Sequence, residues 1–198
     1  MTVPGWIFVV SSPSGGGKTT VIQQLRKKIK GLRRSISVTT REPRPGERRG
    51  RDYAFVDAET FSRMRREGDL VEWAQVHGAY YGTPKAPLEQ ALTRGRSVIL
   101  AIDVQGARKI RRLFKSRAVL IFLVPPSLQD LRERLMRRST DSGEAIRQRL
   151  AAAVRELDCA EWYDHRIINK RLDVAVRQVV DIVRACLQRD SKERQRGR

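Results

Sequence analysis

Short, continuous apolar runs alternate along the chain with longer segments whose apolar residues repeat at helical spacing. The apolar runs predict buried strands at 5–10, 97–102, 118–123 and 166–168. The intervening and following segments predict helices at 18–30, 127–138, 144–160 and 173–187, with Ser127 as an N-cap. Apolar strands that alternate with helices are typical of a parallel sheet covered on both faces. We therefore predict an α/β fold.

The segment from Ser35 to Gly82 breaks this alternation. Mixed polar and apolar patterns predict short strands at 36–39, 53–56 and 70–76, and a small helix, capped by Asp57, at 58–67. We predict that residues 35–95 form an inserted, mixed α/β lobe. The core then comprises 1–34, 96–126 and 160–188, residues 127–159 form a small helical lid, and the basic tail 189–198 is disordered.

The charge of the chain suggests an anionic partner without identifying it. The 198 residues include 41 Lys+Arg and 22 Asp+Glu, which gives a net charge of +19. Such a charge is typical of proteins that meet nucleic acid, nucleotides or a membrane surface. An arginine-rich surface without a function is an equally weighted alternative.

Composition excludes several other classes of protein. Hydrophobic residues make up 40% of the chain, which excludes a chain too polar to collapse. No apolar run approaches the roughly 18 residues that a membrane span needs. The two cysteines, Cys159 and Cys186, have no CxxC spacing, which argues against a disulfide scaffold or a zinc site. We therefore expect a cytoplasmic protein.

The loop S-P-S-G-G-G-K-T follows the first predicted strand and opens the first helix. It matches the phosphate-loop pattern G-x-x-x-x-G-K-[ST], except that Ser12 takes the place of the first glycine. Glycines let backbone N–H groups surround an anion, and the helix N-terminus adds partial positive charge. We predict that Lys18 contacts the β- and γ-phosphates and that the Thr19 hydroxyl holds Mg2+. The predicted triphosphate-binding residues here are Ser12, Pro13, Ser14, Gly15, Gly16, Gly17, Lys18, Thr19 and Thr20.

A phosphate loop alone does not separate kinases from GTPases or motor ATPases. The base-reading motif N-K-x-D of GTPases is absent, since Asn169-Lys170-Arg171-Leu172 lacks the acidic fourth residue. The chain is also short for a motor. Phosphate transfer to a small molecule is therefore the favoured class.

The inserted lobe carries side chains suited to a second phosphate. Arg41 and Arg44 lie three residues apart in a proline-bounded loop, and guanidinium groups suit bidentate contacts with phosphate. The hydroxyls of Tyr53 and of a tyrosine pair in 78–83 can donate to phosphate oxygens. Glu72, within an apolar strand, either accepts the N1–H and 2-amino donors of guanine or lies on an exposed strand face.

Six motifs in this order resemble the guanylate kinase family of the P-loop NTPase superfamily, over Pro4 to Leu187. They are P-S-G-x-G-K, T-T-R-x-P-R-x-G-E, G-x-D-Y, V-E-W-A, Y-Y-G-T and I-D-x-Q-G. The resemblance implies a P-loop kinase core with a GMP-binding lobe and a lid. It also implies Mg2+-dependent transfer of the γ-phosphate of ATP to GMP, which gives ADP and GDP.

The resemblance further implies which residues bind GMP. Those matching the positions that grip its phosphate are Arg41, Arg44, Tyr53 and Tyr81, and those matching the positions that read the guanine edge are Ser37, Glu72 and Thr83. Asp103 matches an acidic residue near the acceptor and the metal, and is a candidate Mg2+ ligand that acts mainly through water. Ala101 stands where the family often has a second acidic residue.

On the ATP side, the resemblance implies that lid arginines close over the triphosphate: Arg134, Arg138 and Arg149. It places Asn169 beside the adenine, although the following Lys170 stands where the family often has an acid. The residues implied in catalysis are Lys18, Arg41, Arg138 and Arg149. Their charges would offset the charge on the transferring phosphoryl group.

Three alternatives stay open at this point. One is a guanylate-kinase-like module that binds phosphopeptides without catalysis, which the retained Lys18 and Thr19 disfavour. The second is a related kinase of phosphorylated ribose, and the third is a nucleic-acid binder suggested only by charge. The expected partners are GMP and ATP, without a specific nucleic acid or a membrane, in a monomer or small homo-oligomer.

Overall fold

The computed structural model describes residues 5–137 and 143–196. In these residues the elements follow one another as β1 (Ile7–Ser11), α1 (Lys18–Lys28), β2 (Arg33–Arg34), β3 (Val38–Thr39), β4 (Ala54–Phe55), α2 (Ala58–Arg66), β5 (Leu70–Val76), β6 (Ala79–Pro84), α3 (Lys85–Thr93), β7 (Val98–Ala101), α4 (Val104–Phe114), β8 (Ala118–Val124), α5 (Leu128–Met136), α6 (Gly143–Asp158), β9 (His165–Ile168) and α7 (Leu172–Arg196). Short 3-10 helices cover Lys115–Arg117 and Cys159–Trp162.

The core is a five-stranded sheet in the order β2-β7-β1-β8-β9, and its strands pair in parallel. In β1, Phe8 and Val10 pack into the cluster that includes apolar residues of α1 and α7. Ile7 and Val9 pack into the cluster on the opposite face, with residues of α3 and α4. Because both faces are covered, the strands are apolar throughout, and the predicted α/β fold is confirmed.

A second, mixed sheet has the order β4-β3-β6-β5. Strand β3 pairs in parallel with β4 and antiparallel with β6, which forms a hairpin with β5. The two-residue turn of this hairpin, His77-Gly78, has positive φ at both positions, 49° and 81°. Such a turn matches the twist of the flanking strands. As predicted, Asp57 caps α2, and its carboxylate accepts a hydrogen bond from Thr60 N at 2.6 Å.

Helices α5 and α6 pack on each other through Leu131, Leu135 and Ala153. Ser127 is the N-cap of α5, as predicted, and its hydroxyl accepts a hydrogen bond from Asp130 N at 3.0 Å. The predicted catalytic Arg138 lies outside the described residues, as does the connection 139–142 between the two helices.

The sequence patterns missed some elements and shifted several boundaries, of which the end of α7 is the furthest off. Strands β2 and β6 and helices α3 and α4 were not predicted, and α7 continues to Arg196 instead of ending at Leu187. The tail 189–198, which we predicted to be disordered, is helical as far as Arg196. Asp190 is buried and accepts a hydrogen bond from Arg117 Nη1 at 2.7 Å, which fixes α7 beyond the predicted end. Within the described residues, no helix combines the length and apolar character that crossing a bilayer requires.

Candidate active site

A cleft opens at the carboxyl ends of β1 and β7, where the parallel sheet meets the second sheet. The ends of such strands, where the chain order reverses across the sheet, are the usual ligand sites of open α/β folds. The cleft brings together residues that are far apart in sequence. Its lining comprises residues 12–20, Ser37, Arg44, Tyr53, Glu72, Ala74, Val76, His77, Tyr81, Gly82, Ala101, Ile102, Asp103 and Glu156.

The phosphate loop connects β1 to α1 and forms one wall of the cleft. Gly15 and Gly17 have φ of 88° and 95°, a region that favours glycine. Ser12, at the unusual first position, does not have a positive φ, and its hydroxyl donates to Pro13 O at 2.9 Å. Lys18 Nζ lies across the loop and donates to Ser12 O at 2.6 Å. The serine is therefore compatible with the geometry of a phosphate loop.

Asn169 holds the phosphate loop from behind. Its side-chain Nδ2 donates to Gly16 O at 2.9 Å, and only 5% of the residue is exposed. A Cβ atom added to Gly17 would lie 2.5 Å from the same nitrogen, so the glycine permits this approach. Arg134 of α5 donates to Asn169 O at 2.9 Å. These contacts link α5, the end of β9 and the phosphate loop. The contact of Asn169 with adenine stays a prediction.

We expect Asn169→Ala to lower the free energy of unfolding by about 1–3 kcal/mol without any nucleotide, because Gly16 O would lose its buried donor. Urea denaturation measures this change, and Gln129→Ala, which removes an exposed amide from α5, is the matched control. If Asn169→Ala were as stable as the control and altered only ATP binding, the residue would contact the nucleotide without supporting the loop.

The loop that carries Arg41 and Arg44 is organised by one carboxylate. Arg41 Nη2 contacts both carboxylate oxygens of Glu47 at 2.9 Å, and Glu47 Oε2 also accepts Arg44 N at 2.9 Å. Arg41 Nε donates to the Tyr81 hydroxyl at 3.1 Å, and the Arg41 guanidinium lies 5.5 Å from the centre of the Tyr53 ring. The side chains of Arg41, Tyr53 and Tyr81, three of those predicted to grip a phosphate, are therefore neighbours.

Glu72 is the most deeply buried carboxyl group of the cleft, with 3% of the residue exposed. Its Oε1 accepts a hydrogen bond from the Thr83 hydroxyl at 2.6 Å. Burial raises the pKa of Glu72 to about 7; the Thr83 hydrogen bond opposes the rise and the negative charge of Asp103 adds to it. Thr83 is itself fully buried, so here it positions Glu72 and does not line the cleft.

Gly106, the glycine of I-D-V-Q-G, leaves space for the carboxyl group of Glu72. A Cβ atom at Gly106 would lie 2.4 Å from Glu72 Oε2. Asp103, the N-cap of α4, accepts a hydrogen bond from Gly106 N at 2.9 Å and thereby fixes the start of that helix. We infer that this motif places the carboxyl groups of Glu72 and Asp103 on one side of the cleft.

Protein ligands for a cation are few in this cleft. The residues that the structure describes contain no group of three or more His, Cys, Asp or Glu side chains that could hold a metal ion. Thr19 and Asp103, the predicted candidates, both line the cleft. A site with one hydroxyl and one carboxylate fits a hard cation whose other ligands are water and substrate phosphates, as is usual for Mg2+.

The structure adds residues to the cleft that the sequence did not single out. Glu156 of α6 lines it, and burial raises the pKa of its carboxyl group, which the charge of Lys18 opposes. No sequence signal marks Glu156, because its place depends on how α6 packs against the core. His77 lines the cleft through the β5–β6 turn, which the pair His77-Gly78 directly after the predicted strand 70–76 could have indicated.

Several predicted residues do not line the cleft in the described structure: Arg41, Thr83, Arg134, Arg149 and Asn169. Arg41, Thr83 and Asn169 contact residues that do line it: Tyr81, Glu72 and Gly16. Arg149 is partly buried in α6, and its catalytic role stays a prediction.

Comparison with known proteins decides the family. The family model described as guanylate kinase matches residues 6–186. The chain belongs to the guanylate kinase family. The guanylate kinase of Nitrobacter winogradskyi is 46% identical over 193 residues, which cover 98% of this chain and 87% of that one. The guanylate kinase of Aromatoleum aromaticum is 43% identical over 98% of this chain and 95% of the relative.

A solved structure agrees with the sequence comparison. The crystal structure of a guanylate kinase from Anaplasma phagocytophilum matches with a TM-score of 0.78 and 37% identity, over 92% of this chain and 86% of the other. The guanylate kinase family and the fold predicted from the motifs are therefore confirmed. So is the prediction of an enzyme, since the family's curated members are named as kinases.

Proposed function

We propose that this guanylate kinase family member transfers the γ-phosphoryl group of ATP to GMP, and so forms ADP and GDP. The observation that carries the proposal is that the phosphate loop and the buried carboxyl group of Glu72 line the same cleft. A phosphate oxygen of GMP forms the new bond to the γ-phosphorus, and the bond to the β–γ bridging oxygen breaks. That oxygen leaves on ADP.

The phosphate loop is the donor side. Its backbone N–H groups and Lys18 are suited to the β- and γ-phosphates of ATP. Thr19 and Asp103 would hold Mg2+, which neutralises phosphate charge when bound. Lys18 Nζ already lies at the loop, where it donates to Ser12 O and to the Ser12 hydroxyl, and an anion bound in the loop would compete for it.

The lobe is the acceptor side. Arg44, Tyr53 and Tyr81 line the cleft and are suited to the GMP phosphate, and Arg41 joins them when that phosphate competes with Glu47 for its guanidinium. Glu72 accepts the N1–H and 2-amino donors of guanine, and the Ser37 hydroxyl lines the same wall. The acceptor oxygen is already anionic, so positioning and charge compensation dominate and no general base is needed.

The alternatives are less well supported. A non-catalytic phosphopeptide module has no need of Lys18 across a phosphate loop. A kinase of phosphorylated ribose has no need of the buried Glu72–Thr83 pair. We propose GMP and ATP as the partners; the absence of a specific nucleic-acid or membrane partner, the oligomeric state and the cytoplasmic location stay predictions.

A panel of nucleoside monophosphates tests the proposal. With ATP and Mg2+, we expect kcat/KM for GMP to exceed that for AMP, CMP or UMP by about 10³-fold or more, because the latter leave Glu72 unpaired or repelled. A coupled assay of ADP formation measures it, and reactions without an acceptor correct for hydrolysis. Equal turnover of AMP would contradict the base assignment.

The pKa of Glu72 predicts that GMP binding depends on pH. With a pKa of about 7, Glu72 is mostly protonated at pH 6, whereas the guanine donors require the carboxylate. Binding should therefore release a proton, and GMP affinity should rise with pH up to about 7, by up to about tenfold per pH unit. Calorimetry in buffers of different ionisation enthalpy measures the release. In Glu72→Gln, the only proton release that remains should be the part that comes from the GMP phosphate. Identical proton release from the variant and the unchanged protein would contradict the assignment.

A further inference from the structure

A second cavity lies away from the catalytic cleft, between the edge strand β2 and helix α3. Its volume is about 290 Å³, close to the lower end of small-molecule pockets, which is about 300 Å³. Four of the residues that line it are arginines: Arg33, Arg34, Arg94 and Arg96. We call this cavity the β2–α3 groove. No residue of the groove lines the catalytic cleft.

Arg34 is the buried member of the four. Its side chain is 6% exposed, and Nη2 donates to Asp52 O at 2.9 Å, with the Asp52 carboxylate 3.8 Å from Nη1. Its Nε–H, by contrast, has no hydrogen-bond partner within the described part of the chain. A buried donor without an acceptor destabilises the folded chain.

The other three arginines surround the cavity and are exposed to solvent. No carboxylate lines the groove within residues 5–137 and 143–196, and these three arginines form no ion pair there. Like charges gathered at one cavity repel each other, and a multivalent anion relieves that repulsion. Guanidinium groups suit phosphate in particular, because two N–H donors match two phosphate oxygens.

The apolar side of the groove restricts the ligand further. Leu88 and Val98 are buried beneath it, and Pro87 and Ala91 complete an apolar wall. We propose that the β2–α3 groove binds a small phosphate-bearing molecule: an inorganic oligophosphate or the phosphates of a nucleotide. Arg33, Arg94 and Arg96 bind the phosphates. This site is independent of the proposed phosphoryl transfer.

Binding of inorganic tripolyphosphate tests the groove. The Lys18→Ala protein serves as the background, because that change weakens phosphate binding in the cleft. Calorimetry at about 150 mM salt compares Arg33→Gln/Arg94→Gln/Arg96→Gln with the control Arg26→Gln/Arg112→Gln/Arg184→Gln, which removes the same charge from exposed positions outside both cavities. We expect tripolyphosphate to bind the groove variant about tenfold or more weakly than the control.

Thermal denaturation of both triple variants verifies that they fold. Equal weakening in the two would overturn the proposal in favour of diffuse surface charge, and so would undetectable binding to the background protein. A second set of titrations uses cytidine triphosphate. If it binds more tightly than tripolyphosphate, the apolar wall contacts a nucleoside and the ligand is a nucleotide. If the two bind equally, the ligand is an inorganic oligophosphate. Loss of only single-stranded RNA binding in the groove variant would overturn a small-molecule site.

Discussion

Lys18→Ala is expected to lower kcat for GMP phosphorylation by about 10³-fold, because one preorganised charge on the transferring group contributes on this scale. The Lys18 ammonium group is the cation at the phosphate loop, 2.6 Å from Ser12 O, and it would follow the charge that develops on the γ-phosphoryl oxygens. GMP should bind the variant with the affinity of the unchanged protein, because the proposed GMP contacts come from the lobe and not from the phosphate loop.

Two measurements separate these effects. Coupled turnover gives kcat, and calorimetry with GMP alone gives the acceptor affinity. Lys27→Ala is the matched control, since Lys27 is an exposed lysine of the same helix, α1. A kcat within about tenfold of the control would remove Lys18 from the transfer step. Loss of GMP binding together with turnover would indicate a collapsed cleft.

Glu72→Gln is expected to lower kcat/KM for GMP by about 10²–10³-fold and to leave kcat/KM for AMP unchanged. The amide presents a donor where guanine offers donors, whereas adenine gains nothing from the carboxylate. Glutamine keeps the shape of the side chain and an oxygen that can accept the Thr83 hydrogen bond, so the strand pairing of β5 and β6 is retained.

Glu59→Gln, which removes an exposed carboxylate from α2, is the matched control and should change neither kcat/KM for GMP nor kcat/KM for AMP. The ratio of the two kcat/KM values is the readout, because loss of folded protein lowers both values alike. Unchanged discrimination between GMP and AMP would show that Glu72 does not read the base.

The core sheet was predictable because its strands are buried on both faces. Such strands are continuous apolar runs, as in β8 (Ala118–Val124), and helices between them follow from alternation. Strand β6 was missed because its sequence, A-Y-Y-G-T-P, contains glycine and proline and lacks alternation. Helix α4 was missed because only Gly106, Ala107 and Ile110 of its residues are buried.

The residues that line the cleft were predictable where they belong to contiguous sequence motifs. The phosphate loop, Arg44, Tyr53, Glu72 and Tyr81 all line it. The supporting contacts were not predictable: Asn169 and Gly16 are 153 positions apart, and no local pattern joins them. Glu156 enters the cleft by the same kind of long-range packing.

The sequence by itself determined the parallel core, the phosphate loop and the family, because each depends on patterns of residues that are close together in the chain. Only the tertiary structure decided that Thr83 supports Glu72, that the pKa of Glu72 rises to about 7, and that four arginines line one groove. Those properties depend on burial and on distances between remote segments, which arise when the two sheets and their helices pack together.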